Sequence, residues 1–154
     1  MAVKKGKFKS HVFMGNTKWT GGRTWEFCGD DSPWYPGAPP ERFLGEPQKL
    51  SPEDLMLLSI STCMISTFTS LARRFKFEPQ SYESEIEGLL EHTEEYGYMF
   101  TKIVLRVQIT VRTMEESDLA ADLLKKSHDD CWMSNGIRAE VTIVPEITIV
   151  GEEA

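Results

Sequence analysis

Residues 55–72 run for eighteen positions without a charged side chain, and no other stretch of the chain constrains the fold as strongly. A segment that long has to lie either in lipid or inside protein. Seven of its residues are hydroxylated (Ser59, Ser61, Thr62, Ser66, Thr67, Thr69 and Ser70), too polar for hydrocarbon but suited to close packing in a protein interior. Ser51-Pro52-Glu53-Asp54 supplies a capping residue, a proline at the first helical position and carboxylates at the positive end of the dipole. The spacing therefore predicts a buried helix from there to about Phe75, not a membrane span. It is apolar or small on every side, and a helix without a polar face must be covered on every side. At 154 residues the chain fits a single domain, 1–154, whose sheet can cover one flank of that helix. A second copy of the chain is expected on the other, which predicts a homodimer.

The remaining pattern is mixed. Residues 7–14 and 18–28 are rich in aromatic and β-branched side chains, with Gly15-Asn16 between them as a turn, and predict an N-terminal β-hairpin. Residues 30–46 hold Pro33, Pro36, Pro39, Pro40, Gly37 and Gly45, which predicts an irregular surface loop. Residues 82–91 alternate Glu83, Glu85 and Glu87 with Ser84, Ile86 and Gly88, a half-exposed strand whose acidic face wants a basic neighbour. Residues 101–112 offer Lys102, Arg106 and Arg112 opposite an apolar face, with a turn at 94–97 to join the pair. A second helix is predicted over 115–130, then a strand over 138–150 interrupted at Pro145. The predicted class is α+β, with helices laid on an antiparallel sheet.

Net charge of −7 and a pI near 5.0 leave no general attraction to nucleic acid or anionic lipid, and Lys4, Lys5, Lys7 and Lys9 are too short a cluster to reverse it. Lys4 and Lys5 precede neither an apolar run nor a cleavage site, so a cytoplasmic location is the expectation. Three cysteines in a reducing compartment predict that any disulfide is transient. His11, His92 and His128 show no metal-ligand spacing, and no phosphate-cradling glycine loop is present, so neither metal nor cofactor is expected.

Cys63, in the middle of the uncharged helix, reads by itself as a small buried hydrophobe. Its neighbours change that reading. Arg42-Phe43-Leu44-Gly45-Glu46, then Ser51-Pro52-Glu53-Asp54-Leu55, then Cys63 ten residues after Glu53, form an ordered series. Thr101-Lys102-Ile103, Cys131-Trp132-Met133-Ser134 and Ile137-Arg138-Ala139-Glu140-Val141-Thr142 continue it. From about Phe43 to Val144 this series resembles the OsmC/Ohr family, with Arg42 matching the OsmC branch more closely. Two features depart from the family pattern: Leu57-Leu58-Ser59-Ile60-Ser61-Thr62 stands where the family is Ala-rich, and Trp132 where it usually has proline.

The resemblance implies an intertwined homodimer that reduces organic hydroperoxides in a stress response. Cys63 would be the attacking thiolate, Cys131 its transient disulfide partner, and a dithiol, in some members a lipoylated protein, the reductant. Free thiols near pKa ~8.5 are only a few per cent ionised at neutral pH, so the chemistry asks for a stabilising cation. Cys63 stands about twelve residues, or ~18 Å, into its helix, too far for the dipole to serve. An arginine at ~4 Å contributes up to ~4 kcal/mol at an effective dielectric of ~20. Arg42 is the first candidate. Arg23, where the Ohr branch places its arginine, is the second, and its bland reading is an exposed turn residue. Glu53 cannot favour a thiolate by charge, so its implied role is to hold the arginine. Ten residues of helix put it ~15 Å along the axis and about 80° round from Cys63, so the two share a site only if helices from two subunits pack antiparallel. Asp129 and Asp130 are expected to keep the Cys131 thiol protonated. Cys28 has no partner motif and is read as structural. Trp19, Trp25, Trp34, Tyr35 and Trp132 are read as core or interface before pocket. The competing reading is a dimeric OsmC-like stress protein or binding module for small apolar ligands with idle cysteines. Thiol-disulfide exchange is disfavoured by the lack of a Cys-x-x-Cys motif.

Overall fold

The computed structural model describes residues 9–151 and divides into two compact units, residues 1–52 and 53–154. Helices and sheets are both present, as expected for the α+β class.

In the N-terminal unit, β1 (Gly15–Gly21), β2 (Thr24–Gly29) and β3 (Tyr35–Gly37) form an antiparallel sheet in that order. The hairpin is displaced from its predicted position. Its turn is Gly22-Arg23 and not Gly15-Asn16, and residues 9–14 belong to no strand; residues 7 and 8 lie outside the described residues. Two glycine signals competed for one turn. Gly21 (φ 117°) and Gly22 (φ 53°) both take the positive φ that a tight reversal needs. That register sets Trp19 opposite Trp25 and Lys18 opposite Glu26, whose charges meet at 2.7 Å. Thr24 Oγ1 donates to the Gly21 carbonyl at 2.8 Å and fixes the turn. The predicted loop is also more ordered than expected. β3 lies within it as an edge strand, where Pro36 needs no ladder donor, and residues 41–43 make one 3₁₀ turn.

In the C-terminal unit, α1 (Pro52–Arg74) precedes β4 (Ser81–Thr93) and β5 (Gly97–Val111), an antiparallel pair. α2 (Met114–Asp129), a short α3 (Trp132–Asn135) and β6 (Glu140–Ile149) follow. β6 runs parallel to β5, so the sheet is mixed and not purely antiparallel as predicted. The reason is the connection: α2 is long enough to carry the chain back to the end of the sheet where β5 begins. Pro145 does not interrupt β6; it pairs in register with Val107 on an edge strand, where a missing N–H is tolerated.

Within this unit the helices pack on one face of the sheet. Leu105, Val107, Ile109 and Val111 of β5 meet Met64, Phe68 and Leu71 of α1 and Ala120, Leu123 and Leu124 of α2 in one buried cluster. Ile60, Met64, Phe68 and Leu71 recur every three or four residues and form the inward stripe of α1. Gly88 on β4 permits the close approach of that helix, because a Cβ there would stand 2.8 Å from Leu57 and 2.7 Å from Phe100. The opposite face carries Glu83, Glu85 and Glu87, and of the predicted basic partners Arg106 pairs with Glu87 at 2.9 Å. Arg112 turns away, donating to the Glu78 carbonyl at 3.1 Å.

By length and composition alone α1 could cross a membrane, with a mean hydropathy of 1.7, and only 28% of that window is buried within the chain. Its hydroxyl residues bond back onto its own carbonyls: Thr62 to Leu58 at 2.7 Å, Thr69 to Ile65 and Ser70 to Ser66, both at 2.8 Å. The outward flank is thus small and internally satisfied, ready to be covered without stranding a donor.

Candidate functional site

Cys63 lies between the inward stripe and the outer flank of α1 and is half-buried against the core that encloses Cys131. The second cysteine is fully buried, at 0% exposure, where the chain leaves α2 and enters α3. Backbone bonds hold it: its amide donates to the His128 carbonyl at 3.2 Å, and its carbonyl accepts from the Asn135 amide at 3.0 Å. The Asn135 side-chain amide ties the corner to the Asp129 carbonyl at 3.0 Å. Cys63 packs against the cluster that contains Cys131, near enough for its sulfur to act on the second thiol, and both are free.

Burial pushes the Cys131 thiol above its ordinary pKa, and the adjacent Cys63 sulfur pushes the same way. The direction is the expected one, but the cause is not. Asp129 and Asp130 line the groove without being the source of the shift, and Asp130 is engaged by Lys126 at 3.1 Å. Ser134 opposes the shift, with its hydroxyl donating to the Cys131 sulfur at 3.2 Å and its amide at 3.5 Å.

Cys63 opens onto a groove of about 560 Å³ whose wall includes Thr67, Ser70, Arg74, Asp129 and Trp132. Trp132 is 73% exposed at its rim, and it alone of the five aromatics singled out from sequence lines this groove. Arg74 is the cation in this wall and makes no ion pair among the described residues. Eleven residues separate it from Cys63, about 16 Å along the axis but nearly the same face. That is too far to hold a thiolate at contact distance. The sequence reading missed Arg74, although its signal was available: Thr67, Ser70 and Arg74 follow Cys63 at helical spacing.

The other predicted site residues are distributed as follows. Arg23 sits in the β1–β2 turn and Arg42 in the 3₁₀ turn, both exposed and both in the N-terminal unit. Glu53 is in the first turn of α1, an unbroken helix, and so remains about 15 Å along the axis from Cys63. One of its carboxylate oxygens is buried without a hydrogen-bond partner, an arrangement that calls for a donor. Cys28, on β2, makes a single long contact, accepting from the Asn16 side chain at 4.0 Å. Among the described residues no cluster of His, Cys, Asp and Glu is arranged to hold a metal.

The α+β architecture and paired thiols suit a small thiol-bearing protein, and comparison with known proteins gives the class. Residues 45–146 match the OsmC-like protein family. This chain belongs to that family. The protein YmaD of Bacillus subtilis, which carries no assigned function, is 24% identical over 113 residues, 71% of this chain and 75% of its own. An OsmC-like protein of unknown function from Vibrio cholerae superposes with a TM-score of 0.77 at 19% identity, covering 90% of this chain and 99% of that one. An organic hydroperoxide resistance protein, OsmC, from Legionella pneumophila gives 0.69 at 23% identity over 92% and 100%. The organic hydroperoxide resistance protein OhrB of Bacillus subtilis gives 0.62 at 19% identity over 89% and 98%. At these identities the structural likeness establishes the fold.

Proposed function

We propose that this protein is a two-cysteine thiol peroxidase that reduces organic hydroperoxides to alcohols. The observation that supports this reading most is the meeting of two free thiols, one half-buried beside an open groove and one fully buried behind it. Cys63 thiolate attacks the distal peroxide oxygen, the O–O bond breaks, and the alkoxide takes a proton and leaves as the alcohol. Cys63 is left as a sulfenic acid. Cys131 attacks that sulfur, the S–O bond breaks with loss of water, and a Cys63–Cys131 disulfide stores the two electrons given to the peroxide. An external dithiol, free or borne on a lipoylated protein, restores both thiols. The peroxide resistance named for two solved relatives accords with this substrate class.

The activating cation in this reading is Arg42, with Arg23 as the alternative, and Glu53 orients it. The unpartnered buried oxygen of Glu53 favours such a pairing. The working unit is a cytoplasmic homodimer of single-domain subunits in which α1 helices pack antiparallel, bringing Glu53 of the partner subunit towards Cys63. The exposed Met56 and Leu58 and the self-satisfied hydroxyl flank of α1 suit that cover.

Treating the reduced protein with one equivalent of cumene hydroperoxide should yield a Cys63–Cys131 linked peptide by mass spectrometry, with one equivalent of alcohol released. Free thiols at both positions after the peroxide is added would retire the proposal.

A further inference from the structure

The buried sulfur raises a question that two thiols alone do not answer. Resolution needs Cys131 as a thiolate, yet burial and the neighbouring Cys63 sulfur favour its protonated form. Charge created at a fully buried sulfur needs donors already aimed at it. Two are present, and both come from Ser134: the hydroxyl at 3.2 Å and the backbone amide at 3.5 Å. The titratable and charged groups lining the groove are Cys63 and Arg74 of α1, Asp129 at the end of α2 and Asp130 after it, none of which donates a hydrogen bond to this sulfur among the described residues.

We infer that Ser134 is the positioning residue of the resolving step, holding the Cys131 thiolate that attacks the Cys63 sulfenic acid. The inference rests on the peroxidase reading above and adds a residue to it. When Cys63 thiolate cleaves the peroxide, the departing alkoxide takes a proton from water in the open groove. That step leaves alcohol, Cys63 sulfenic acid and hydroxide, and the hydroxide takes the Cys131 proton to give the Cys131 thiolate and water. The thiolate then attacks the Cys63 sulfur and expels hydroxide, which becomes water with one solvent proton. Ser134 bears the charge only between these two events, so its loss should slow resolution and spare the peroxide step.

The first test needs no peroxide. In a Cys28→Ser/Cys63→Ser background Cys131 is the remaining thiol, and its titration is read by ultraviolet thiolate absorbance. Ser134→Ala should raise the apparent pKa by about one unit, a roughly tenfold loss of thiolate at fixed pH, the size expected for one charge-assisted hydrogen bond. Ser134→Thr, which keeps the hydroxyl, should restore the parent value, whereas a merely structural role would not follow the hydroxyl. In the otherwise intact protein, rapid mixing with cumene hydroperoxide should show a sulfenic acid that persists about tenfold longer in Ser134→Ala, with peroxide consumption unchanged. An unchanged titration overturns the inference. A shifted titration in a protein that never forms the linked peptide retires the peroxidase reading instead, with Ser134 still the donor to Cys131.

Discussion

The two units of this chain are stabilised by different means. In residues 53–154, Phe68, Met64, Ile103, Leu105, Val107 and Ile109 are almost wholly removed from water, and the helices pack on the sheet through them. In residues 9–52, Trp19 is 76% exposed and Val12, Phe13 and Leu44 more so, while among the described large apolar side chains of that unit none is buried. The N-terminal sheet is held by turn chemistry and a few cross-strand contacts, including Lys18 bonded to Glu26 at 2.7 Å and lying 4.4 Å above the Trp34 ring. A small sheet is marginal in water by itself. The contrast bears on the chemistry. Both proposed reacting sulfurs sit in the unit with the large buried core, while both proposed activating arginines sit on exposed turns of the other.

Four measurements would break or sharpen that contrast. The largest effect is expected from Arg42→Ala, which should slow peroxide consumption on the order of a hundredfold while leaving the thermal midpoint unchanged. An equal loss in Arg23→Ala and none in Arg42→Ala would move the activating role to the hairpin turn. Next, Phe68→Ala should cost about 3–5 kcal/mol in denaturant unfolding, because its ring is buried against Tyr82 and Phe77 at 5.2 and 6.4 Å. Trp19→Ala should stay within about 0.5 kcal/mol. A loss at Trp19 approaching that at Phe68 would mean that the N-terminal sheet is covered in solution, and the contrast would collapse.

Tyr82 offers a smaller effect inside the C-terminal unit. Its hydroxyl is buried without a partner, and burial lifts its pKa from 10.0 to about 12. Between those values the unfolded chain has lost the proton that the folded chain keeps, so stability falls as pH rises from about 10 to about 12. Tyr82→Phe should flatten that decline and stabilise the protein by up to about 1 kcal/mol near neutrality, since an orphaned hydroxyl disappears. Alkaline melting curves that coincide for the two proteins would count against burial as the cause. The smallest change is expected from Glu87→Gln, which removes an exposed pair with Arg106 and should cost no more than about 0.5 kcal/mol in denaturant unfolding.

Much of the C-terminal unit was legible because its signals are local. The uncharged run and its Ser-Pro-Glu-Asp start marked α1 to within a residue at each end, and the Glu83, Glu85, Glu87 alternation marked β4. The apolar face of β5 and the leucines of α2 were read in the same way. The hairpin was misplaced because two glycine pairs carry the same turn signal and only the cross-strand partners choose between them. At the site, resemblance pointed to Cys63 and Cys131, whereas nothing in the order Cys131-Trp132-Met133-Ser134 gives Ser134 a role until the turn folds it back onto the sulfur. Arg74 was passed over because a lone arginine near a helix end reads as a solvated charge.

Periodicity, capping and turn residues are properties of neighbouring positions, so the amino-acid order alone determined where the long helix and the central strands would form. The direction of β6, the acceptance of Pro145 within it and the burial that lifts the Cys131 thiol each depend on surfaces contributed by residues far away in the chain. Those were decided only by tertiary packing. A strand acquires a direction from its connection and its neighbour, and a thiol acquires its proton affinity from whatever excludes water around it.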